Sequence, residues 1–315
     1  MYLSLKTLRP LFSIAPILKS DTATITRTGR AVRIAGLGRA PLPMLCAIET
    51  DARGLMCAPG SAGGGLLPAI RIDSAAAPLA IEPESLTFGD VDGDALTDAC
   101  GRDAGGILCA TAASGYQPVR WTTAFDASGP ATPTDRSLAI APGGKICGLG
   151  DPGVVCVSRG ATAIEVRSTW PDRRAALWIA DLDGDHQPDW CAATAEGPAC
   201  SLATDRDRTT AGVAWGYAFG GLIQAGAAEA ALPDTATAVF TDIDGDGRDD
   251  LCTAPGGVIA CARSLGRGFG PRTAIARLPA GMIPTALWAE AAAPSIAGRP
   301  PRICAADATT IACAD

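Results

Sequence analysis

Twelve cysteines that fall into six local pairs are the strongest constraint on how this 315-residue chain can fold. The two cysteines stand nine positions apart in five pairs and eleven apart in the first pair. The first cysteines of successive pairs follow at intervals of 54, 47, 44, 61 and 52 residues. Such regularity predicts six structural repeats of roughly fifty residues each. The pairs are Cys46/Cys57, Cys100/Cys109, Cys147/Cys156, Cys191/Cys200, Cys252/Cys261 and Cys304/Cys313.

The separation of nine is what a disulfide across a β-hairpin requires. In an antiparallel pair with a short turn, an odd separation places two positions opposite each other on one face, within disulfide reach. Zinc sites are one alternative, although their ligand pairs normally stand two to four residues apart. Free buried thiols are the other. The regular pairing also predicts an oxidising compartment, and hence a secreted, extracellular or periplasmic protein.

Each repeat has the pattern of four short β-strands. An apolar run comes first, a strand with the first cysteine follows, a turn with glycine comes next, and the second cysteine lies on a third strand. A more variable fourth segment completes the repeat. Six such units without a helical pattern predict an all-β fold, a β-propeller with six blades of four antiparallel strands. A seven-bladed ring with one undetected blade is the alternative. Examples of the first apolar run are 85–88 (SLTF), 176–180 (ALWIA) and 237–241 (TAVFT).

The whole chain, 1–315, is predicted to form one propeller domain. The last pair ends at Cys313, so the final repeat has no room for a fourth strand. We expect the N-terminal segment, about residues 2–20, to supply that strand and to close the ring. The approximate ranges are a closing strand in 1–30 and repeats in 31–84, 85–134, 135–174, 175–233, 234–283 and 284–315.

Three repeats carry an acidic loop after their first strand: DVDGDALTD (90–98), DLDGDHQPD (181–189) and DIDGDGRDD (242–250). Each has carboxylates at loop positions 1, 3, 5 and 9 and a glycine at position 4. Calcium binds six to eight hard oxygens at flexible distances, and position 7 can add a backbone carbonyl. The sequence therefore predicts about three structural calcium ions. The predicted ligands are Asp90, Asp92, Asp94, Asp98, Asp181, Asp183, Asp185, Asp189, Asp242, Asp244, Asp246 and Asp250, with the carbonyls of Leu96, Gln187 and Arg248.

The alternative is that these are acidic turns without metal. Four close carboxylates repel one another when no cation is present, which favours the metal interpretation. EF-hands are excluded because no Glu stands at position 12 and a cysteine-bearing strand follows the loop where an EF-hand has a helix.

The order of acidic loop, strand, glycine turn and strand resembles the FG-GAP repeat, which is the blade unit of the integrin α-subunit propeller, and the related VCBS-type repeats of secreted bacterial proteins. The matching segments are 88–94 (FGDVDGD), 250–257 (DLCTAPGG) and 268–270 (GFG). The resemblance implies calcium in the loop between the first two strands of a blade, and ligand recognition by other loops. The repeats beginning near 31, 138 and 285 lack the acids, so it implies no calcium there. A cysteine pair in every repeat resembles a bacterial subtype.

The net charge of −7 is concentrated in the acidic loops. Without their twelve predicted Asp ligands the chain has 21 acidic and 26 basic residues. No basic stripe or polybasic patch indicates nucleic acid or a membrane surface. No run of eighteen apolar residues predicts a transmembrane helix. The N-terminal sequence is not typical of a signal peptide, because Pro10 and Pro16 interrupt its apolar run.

The side chains that catalysis requires are scarce. His186 is the only histidine and lies inside an acidic loop, and all cysteines belong to pairs. We therefore predict that the protein is not an enzyme, although a pair of glycosidase carboxylates stays open. Trp121, Trp170 and Trp215 recur 12 to 15 residues after the second cysteine of a repeat. They are candidates either for packing between blades or for shallow sugar sites.

The sequence thus predicts a calcium-stabilised, secreted propeller that serves as a non-catalytic binding or adhesion module for an unknown protein or glycan. One alternative is a carbohydrate-binding, lectin-like propeller, which predicts exposed Trp at equivalent positions. Another is a polysaccharide-active lyase or hydrolase, which predicts one deep cleft with convergent Glu, Asp, Arg or Tyr. An adhesion module predicts a broad loop surface.

Overall fold

The computed structural model describes residues 6–7, 9–13, 33–35, 37, 44–49, 54–59, 67–126, 138–150, 153–162, 164–169, 177–194, 197–203, 213–214, 238–284, 286–290, 301–306 and 310–314. In this part of the chain the secondary structure is β-strand, with short 3-10 turns at Pro83–Ser85 and Pro255–Gly257. The fold is all-β, and the described strands form six small sheets. Two strands near the N-terminus, β1 (Lys6–Thr7) and β2 (Arg9–Ser13), join sheets formed by the C-terminal part of the chain.

The chain forms two compact units, one of which comprises residues 13–177. Its three sheets each contain four consecutive strands in meander order. Sheet I contains β3 (Arg33–Ala35), β4 (Met44–Ile48), β5 (Leu55–Pro59) and β6 (Ile70–Arg71). Sheet II contains β7 (Thr87–Gly89), β8 (Asp98–Asp103), β9 (Gly106–Ala110) and β10 (Pro118–Thr122). Sheet III contains β11 (Leu138–Ala141), β12 (Lys145–Gly150), β13 (Gly153–Val157) and β14 (Glu165–Thr169).

The other unit comprises residues 1–12 and 178–315. Sheet IV contains β15 (Leu177–Ala180), β16 (Asp189–Thr194), β17 (Gly197–Ser201) and β18 (Val213–Ala214). Sheet V contains β19 (Ala238–Thr241), β20 (Asp250–Thr253), β21 (Val258–Ala262) and β22 (Thr273–Arg277), and β1 pairs in parallel with β22. Sheet VI contains β23 (Ala286–Glu290), β24 (Arg302–Ala306) and β25 (Thr310–Cys313).

Sheet VI is completed from the other end of the sequence. Its strand order is β2-β25-β24-β23, so β2 is the fourth strand that the final repeat lacks. This is the pairing that the sequence predicts for the N-terminal segment. Each of the six sheets lies within one of the predicted repeat ranges, apart from the contributions of β1 and β2.

The cysteines of each pair stand directly opposite each other on the second and third strands of a sheet. Five disulfides join such pairs with Cα–Cα distances of 4.1 Å: Cys46–Cys57, Cys100–Cys109, Cys147–Cys156, Cys191–Cys200 and Cys252–Cys261. Cys304 is disulfide-bonded as well, and Cys313 is its partner in the strand register. These disulfides point to an oxidising, extracellular or periplasmic environment.

The cysteines of the first pair face each other although they stand eleven positions apart. In sheet II the register ends at Asp103 opposite Gly106, which leaves a two-residue turn. In sheet I the register ends at Ile48 opposite Leu55, and the Glu49 N–H then donates to the Gly54 carbonyl at 2.8 Å. Four positions of the sequence separate Glu49 from Gly54, against two between Asp103 and Gly106, which accounts for the two extra positions between Cys46 and Cys57.

The apolar cores lie between consecutive sheets within each unit. Ile48 and Leu55 of sheet I pack with Ala99 of sheet II, and Ile107 of sheet II packs with Ile146 of sheet III. In the other unit, equivalent clusters join sheets IV and V and sheets V and VI. Every residue of β13 is buried, which shows that a middle strand can be covered on both faces. Buried cysteines are part of these cores, together with several alanines. Both side chains are small, so two sheets can approach each other closely where they pack.

Candidate metal centres

The three acidic loops occupy the same place in their sheets, between the first and second strands. Residues 90–97 join β7 to β8, 181–188 join β15 to β16, and 242–249 join β19 to β20. In each loop the Asp at position 9 is the first residue of the second strand: Asp98, Asp189 and Asp250.

The Asp at position 1 folds each loop around its own carboxylate. Asp90 accepts hydrogen bonds from the backbone N–H groups of Gly93 at 2.7 Å and Ala95 at 2.9 Å. The two other loops repeat this arrangement at positions 4 and 6. The bonds run to Asp181 from Gly184 at 2.8 Å and His186 at 2.9 Å, and to Asp242 from Gly245 at 2.7 Å and Gly247 at 2.9 Å.

Positions 4 and 6 both require a left-handed backbone. At position 4 the φ angles are 85°, 79° and 80°, and a glycine stands there in every loop: Gly93, Gly184 and Gly245. At position 6 the φ angles are 62°, 62° and 87° for Ala95, His186 and Gly247. A residue with a Cβ costs about 1–2 kcal/mol in this conformation. The glycine at position 4 is visible in all three loop sequences, whereas at position 6 only Gly247 indicates the left-handed backbone.

The Asp at position 9 is buried, and its two oxygens connect the loop with a more distant segment of the chain. We call this pair of contacts the bracket. Asp98 Oδ2 accepts the Val91 N–H at 2.9 Å, and its Oδ1 accepts the Ala112 N–H at 2.8 Å. Asp189 and Asp250 make the same two kinds of contact. The partners of Asp189 are Leu182 at 2.8 Å and Ala203 at 2.7 Å, and those of Asp250 are Ile243 at 3.3 Å and Ser264 at 2.7 Å.

These buried carboxylates hold their protons more tightly than free Asp. Burial raises the pKa of Asp98, and it raises the pKa values of Asp189 and Asp250 to about 6. The carboxylates at positions 3 and 5 add repulsion, which raises each pKa further, while the backbone hydrogen bonds lower it. A cation between the carboxylates would favour their charged forms.

Each loop brings together three carboxylates that can hold one metal ion. Their oxygens lie within 4.8 Å of one another in the groups Asp90/Asp92/Asp94, Asp181/Asp183/Asp189 and Asp242/Asp244/Asp246. An all-carboxylate donor set fits a hard divalent cation such as calcium. Asp98, Asp185 and Asp250 lie outside these three groups, and ligation by them stays a prediction.

The residues at position 7 contact position 5 through their N–H groups. Leu96 donates to Asp94 at 2.8 Å, Gln187 to Asp185 at 2.8 Å and Arg248 to Asp246 at 2.9 Å. Ligation by the carbonyls of these three residues stays a prediction.

The three groups differ in burial and in neighbouring positive charge. Arg248 pairs with Asp246 and lowers its pKa, and Arg263 Nη1 lies 3.0 Å from Asp244 Oδ2. His186 Nδ1 lies 3.3 Å from Asp181 Oδ2, and its side chain is 88% exposed. Asp181 and Asp183 are partly buried and Asp189 is fully buried, whereas positions 3 and 5 of the other two groups are exposed. The group at 181–189 is therefore the best shielded from solvent.

Trp121, the one Trp candidate that the structure describes, packs between two sheets, which agrees with the packing alternative and not with a sugar site. Trp121 is 2% exposed within the core between sheets II and III, and the guanidinium of Arg159 lies 4.7 Å from its ring centroid. A buried ring cannot offer its face to a sugar. Trp170 and Trp215 lie outside the described residues.

A cavity of about 350 Å³ lies at the other end of β8 from the acidic loop. Its polar lining comprises Glu49, Glu82 and Asp103, and its apolar lining includes Ile48, Ile81 and Pro83. Two of the three carboxylates are paired with arginines. Arg102 Nη2 lies 3.0 Å from Glu82 Oε2, and Arg120 donates to both Asp103 oxygens, at 2.7 Å from Nη2 to Oδ2. This cavity was not predictable from the sequence, because its lining residues come from three separate segments.

In the described part of the chain, none of the helical turns is long and apolar enough to span a membrane.

No protein-family model matches the chain, and no curated protein matches it. Among solved structures it is similar to a lectin from Agrocybe aegerita that recognises non-reducing terminal N-acetylglucosamine. The identity is 14% and the TM-score 0.46, over 87% of this chain and 73% of the lectin. It is also similar to the Photorhabdus luminescens Tc holotoxin pore, with 15% identity and a TM-score of 0.53, over 99% of this chain. The chain spans only 15% of that toxin chain, and the likeness is one of fold.

Proposed function

We propose that the protein is a calcium-stabilised, secreted β-propeller with six blades, and that it acts as a non-catalytic binding or adhesion module. The observation that carries this proposal is the bracket repeated in the three acidic loops. In each loop the carboxylates at positions 1 and 9 hold backbone N–H groups of the loop and of a neighbouring segment. Calcium bound there would reinforce a scaffold.

The propeller arrangement is supported by the six sheets, in which five sets of four consecutive strands and one set of three follow a meander order. Neighbouring sheets inside each unit share apolar cores. If the six sheets form a ring, the pairing of β2 with β25 in sheet VI closes it. A circular arrangement also covers the faces of every sheet, which agrees with the buried middle strands.

The non-catalytic interpretation is supported by the state of the reactive side chains. His186 is exposed and pairs with an acidic-loop carboxylate. The described cysteines are disulfide-bonded. In the cavity, arginines neutralise Glu82 and Asp103, so the lining does not present two free carboxylates for glycoside hydrolysis.

The ligand, a protein or a glycan, is expected to bind at the end of the strands that carries the hairpin turns β4–β5 and β8–β9. The cavity there has a volume at the lower end of the range for small-ligand sites, and its lining is both polar and apolar. If the ligand is a glycan, this cavity is a better candidate than Trp121, because Trp121 is buried.

A binding screen with paired variants tests this proposal. The wild-type protein, Ala104→Trp and Asp92→Asn are applied with calcium to a glycan array and to a panel of extracellular proteins. We expect a ligand that wild type and Asp92→Asn retain and Ala104→Trp loses, because Ala104 is exposed and lines the cavity, so that a large side chain there obstructs it. Retention by Ala104→Trp would rule out the cavity. Catalytic turnover of a bound polysaccharide would contradict the non-catalytic interpretation.

A further inference from the structure

The acidic loops at 181–189 and 242–250 are joined directly by hydrogen bonds between neighbouring sheets. The Asp181 N–H donates to Asp249 Oδ2 at 2.9 Å, and the Asp249 N–H donates to the Asp181 carbonyl at 2.6 Å. Asp181 belongs to the carboxylate group of the first loop, while Asp249 precedes the buried bracket Asp250 of the second. We call these two bonds the Asp181–Asp249 clamp.

A second connection runs beside the clamp. The hydroxyl of Ser264 donates to the Leu182 carbonyl at 2.6 Å, and the Ser264 N–H donates to Asp250 Oδ1 at 2.7 Å. Ser264 is 1% exposed, so these bonds are shielded from water. Gly184 also lies against the second loop, since a Cβ added to it would lie 3.3 Å from Arg248 Cγ. Residues of one loop thus hold the backbone of the other.

The third acidic loop provides an internal comparison. The carbonyl of Val91 in loop 90–98 is approached by Gly144, where an added Cβ would lie 2.2 Å from that oxygen. Gly144 belongs to the turn between β11 and β12, whose sequence PGG (142–144) has no carboxylate. Loop 90–98 therefore packs on a turn that is not itself a metal site.

From this arrangement we infer that the metal sites at 181–189 and 242–250 bind calcium with positive coupling, and that Asp249 is the positioning residue that transmits it. The inference rests on the proposed function, because it requires calcium at both loops. An ion at one loop fixes the backbone around Asp181 or Asp250, and through the clamp it orders part of the other loop. The second ion then binds with a smaller loss of conformational entropy, because part of its loop is already ordered. The site at 90–98 binds independently.

The test is calcium titration calorimetry on the full, disulfide-bonded chain after removal of bound metal. Asp92→Asn with Asp94→Asn disables the independent site, which leaves two sites to follow. Asp183→Asn with Asp185→Asn then disables one of these, and Asp244→Asn with Asp246→Asn disables the other. None of these substitutions touches the clamp. We expect that disabling either site weakens calcium binding at the other about fivefold or more, and by the same factor in both directions.

Asp249→Ala removes the side-chain bond of the clamp and is expected to reduce this difference, so that the affinity of each site depends less on whether the other is intact. Asp249→Asn is the matched control, because its amide oxygen can still accept the Asp181 N–H and coupling should persist. A correct native fold is checked by circular dichroism. If Asp249→Ala does not fold, Ser264→Ala tests the same connection and should reduce the coupling.

The outcomes separate the two proposals. Unchanged affinity at each site when the other is disabled would overturn the coupling and leave calcium binding intact. Coupling that survives undiminished in both Asp249→Ala and Ser264→Ala would overturn the assigned route. A metal-free wild-type chain that takes up no calcium would overturn the proposed metal function and, with it, this inference.

Discussion

Asp98 Oδ1 accepts the backbone N–H of Ala112 at 2.8 Å, which ties the start of one strand to a segment fourteen residues further along the chain. The other oxygen of Asp98 accepts the Val91 N–H, and the side chain is fully buried. The position-9 Asp of each acidic loop is thus a structural bracket as well as a predicted metal ligand, and the two roles can be tested separately.

Asp98→Asn is expected to destabilise the protein by about 1–3 kcal/mol even without calcium. The amide can accept only through its oxygen, so its NH₂ group would face the N–H of Val91 or of Ala112 and leave it unsatisfied. The measurement is urea unfolding of the metal-free protein. Asp92→Asn, in the same loop but exposed, is the control and should change the metal-free stability by less than about 0.5 kcal/mol. Equal effects of the two substitutions would contradict the bracket.

Replacing the residue at position 6 by glycine is expected to stabilise the protein. Ala95→Gly and His186→Gly should each increase the free energy of unfolding by about 1 kcal/mol, because both residues have positive φ angles. Gly247→Ala should reduce it by a similar amount. Ala112→Gly serves as the control, since glycine there adds only chain entropy in the unfolded state and should destabilise by about 0.5–1 kcal/mol. Thermal and urea unfolding would measure all four, and destabilisation by Ala95→Gly would refute the backbone argument.

The metal-free protein is expected to lose stability as the pH rises from about 4 to 7. The pKa values of Asp189 and Asp250 are raised to about 6 in the folded state from 3.8. The folded state therefore holds these protons more tightly, and their stabilising contribution is present below pH 3.8 and is lost as the pH rises through 6. The check is the pH dependence of the unfolding free energy of metal-free wild type and Asp250→Asn. The loss should be smaller in the variant, and an identical slope would contradict the assignment.

In the absence of metal, a disulfide in a sheet with an acidic loop and one in a sheet without it are expected to contribute equally to the free energy of unfolding. Removing Cys147–Cys156 or Cys252–Cys261 by paired Cys→Ala substitution should each cost about 3 kcal/mol in the loop-entropy model. With calcium present, the loss of stability on removing Cys252–Cys261 should be smaller, because the ion at 242–250 supports the same pair of strands in sheet V. The loss on removing Cys147–Cys156 from sheet III should be the same with and without calcium. Urea unfolding with and without calcium measures both, and an equal effect of calcium in the two sheets would contradict this interpretation.

The sequence was sufficient for features that repeat at fixed spacing. The cysteine spacing predicted the facing pairs, and the acidic motif predicted loops between first and second strands. The Asp181–Asp249 clamp was not predictable, because it joins residues 68 positions apart that meet only when two sheets pack. The same is true of the cavity at Glu49 and Asp103. Recurrence of Trp121 could not distinguish exposure from burial, since both produce a repeated aromatic residue.

The proposed scaffold depends on calcium binding by the folded protein. The melting temperature of the metal-free protein is measured at pH 7 with increasing calcium chloride, with magnesium chloride as the control, and the bound ion is counted by elemental analysis. We expect about three calcium ions per chain and a rise in melting temperature with calcium concentration, as required when a ligand binds the folded state. Magnesium should give a smaller rise, because it prefers octahedral coordination at shorter distances. An unchanged melting temperature together with no bound calcium would show that the acidic loops are not calcium sites.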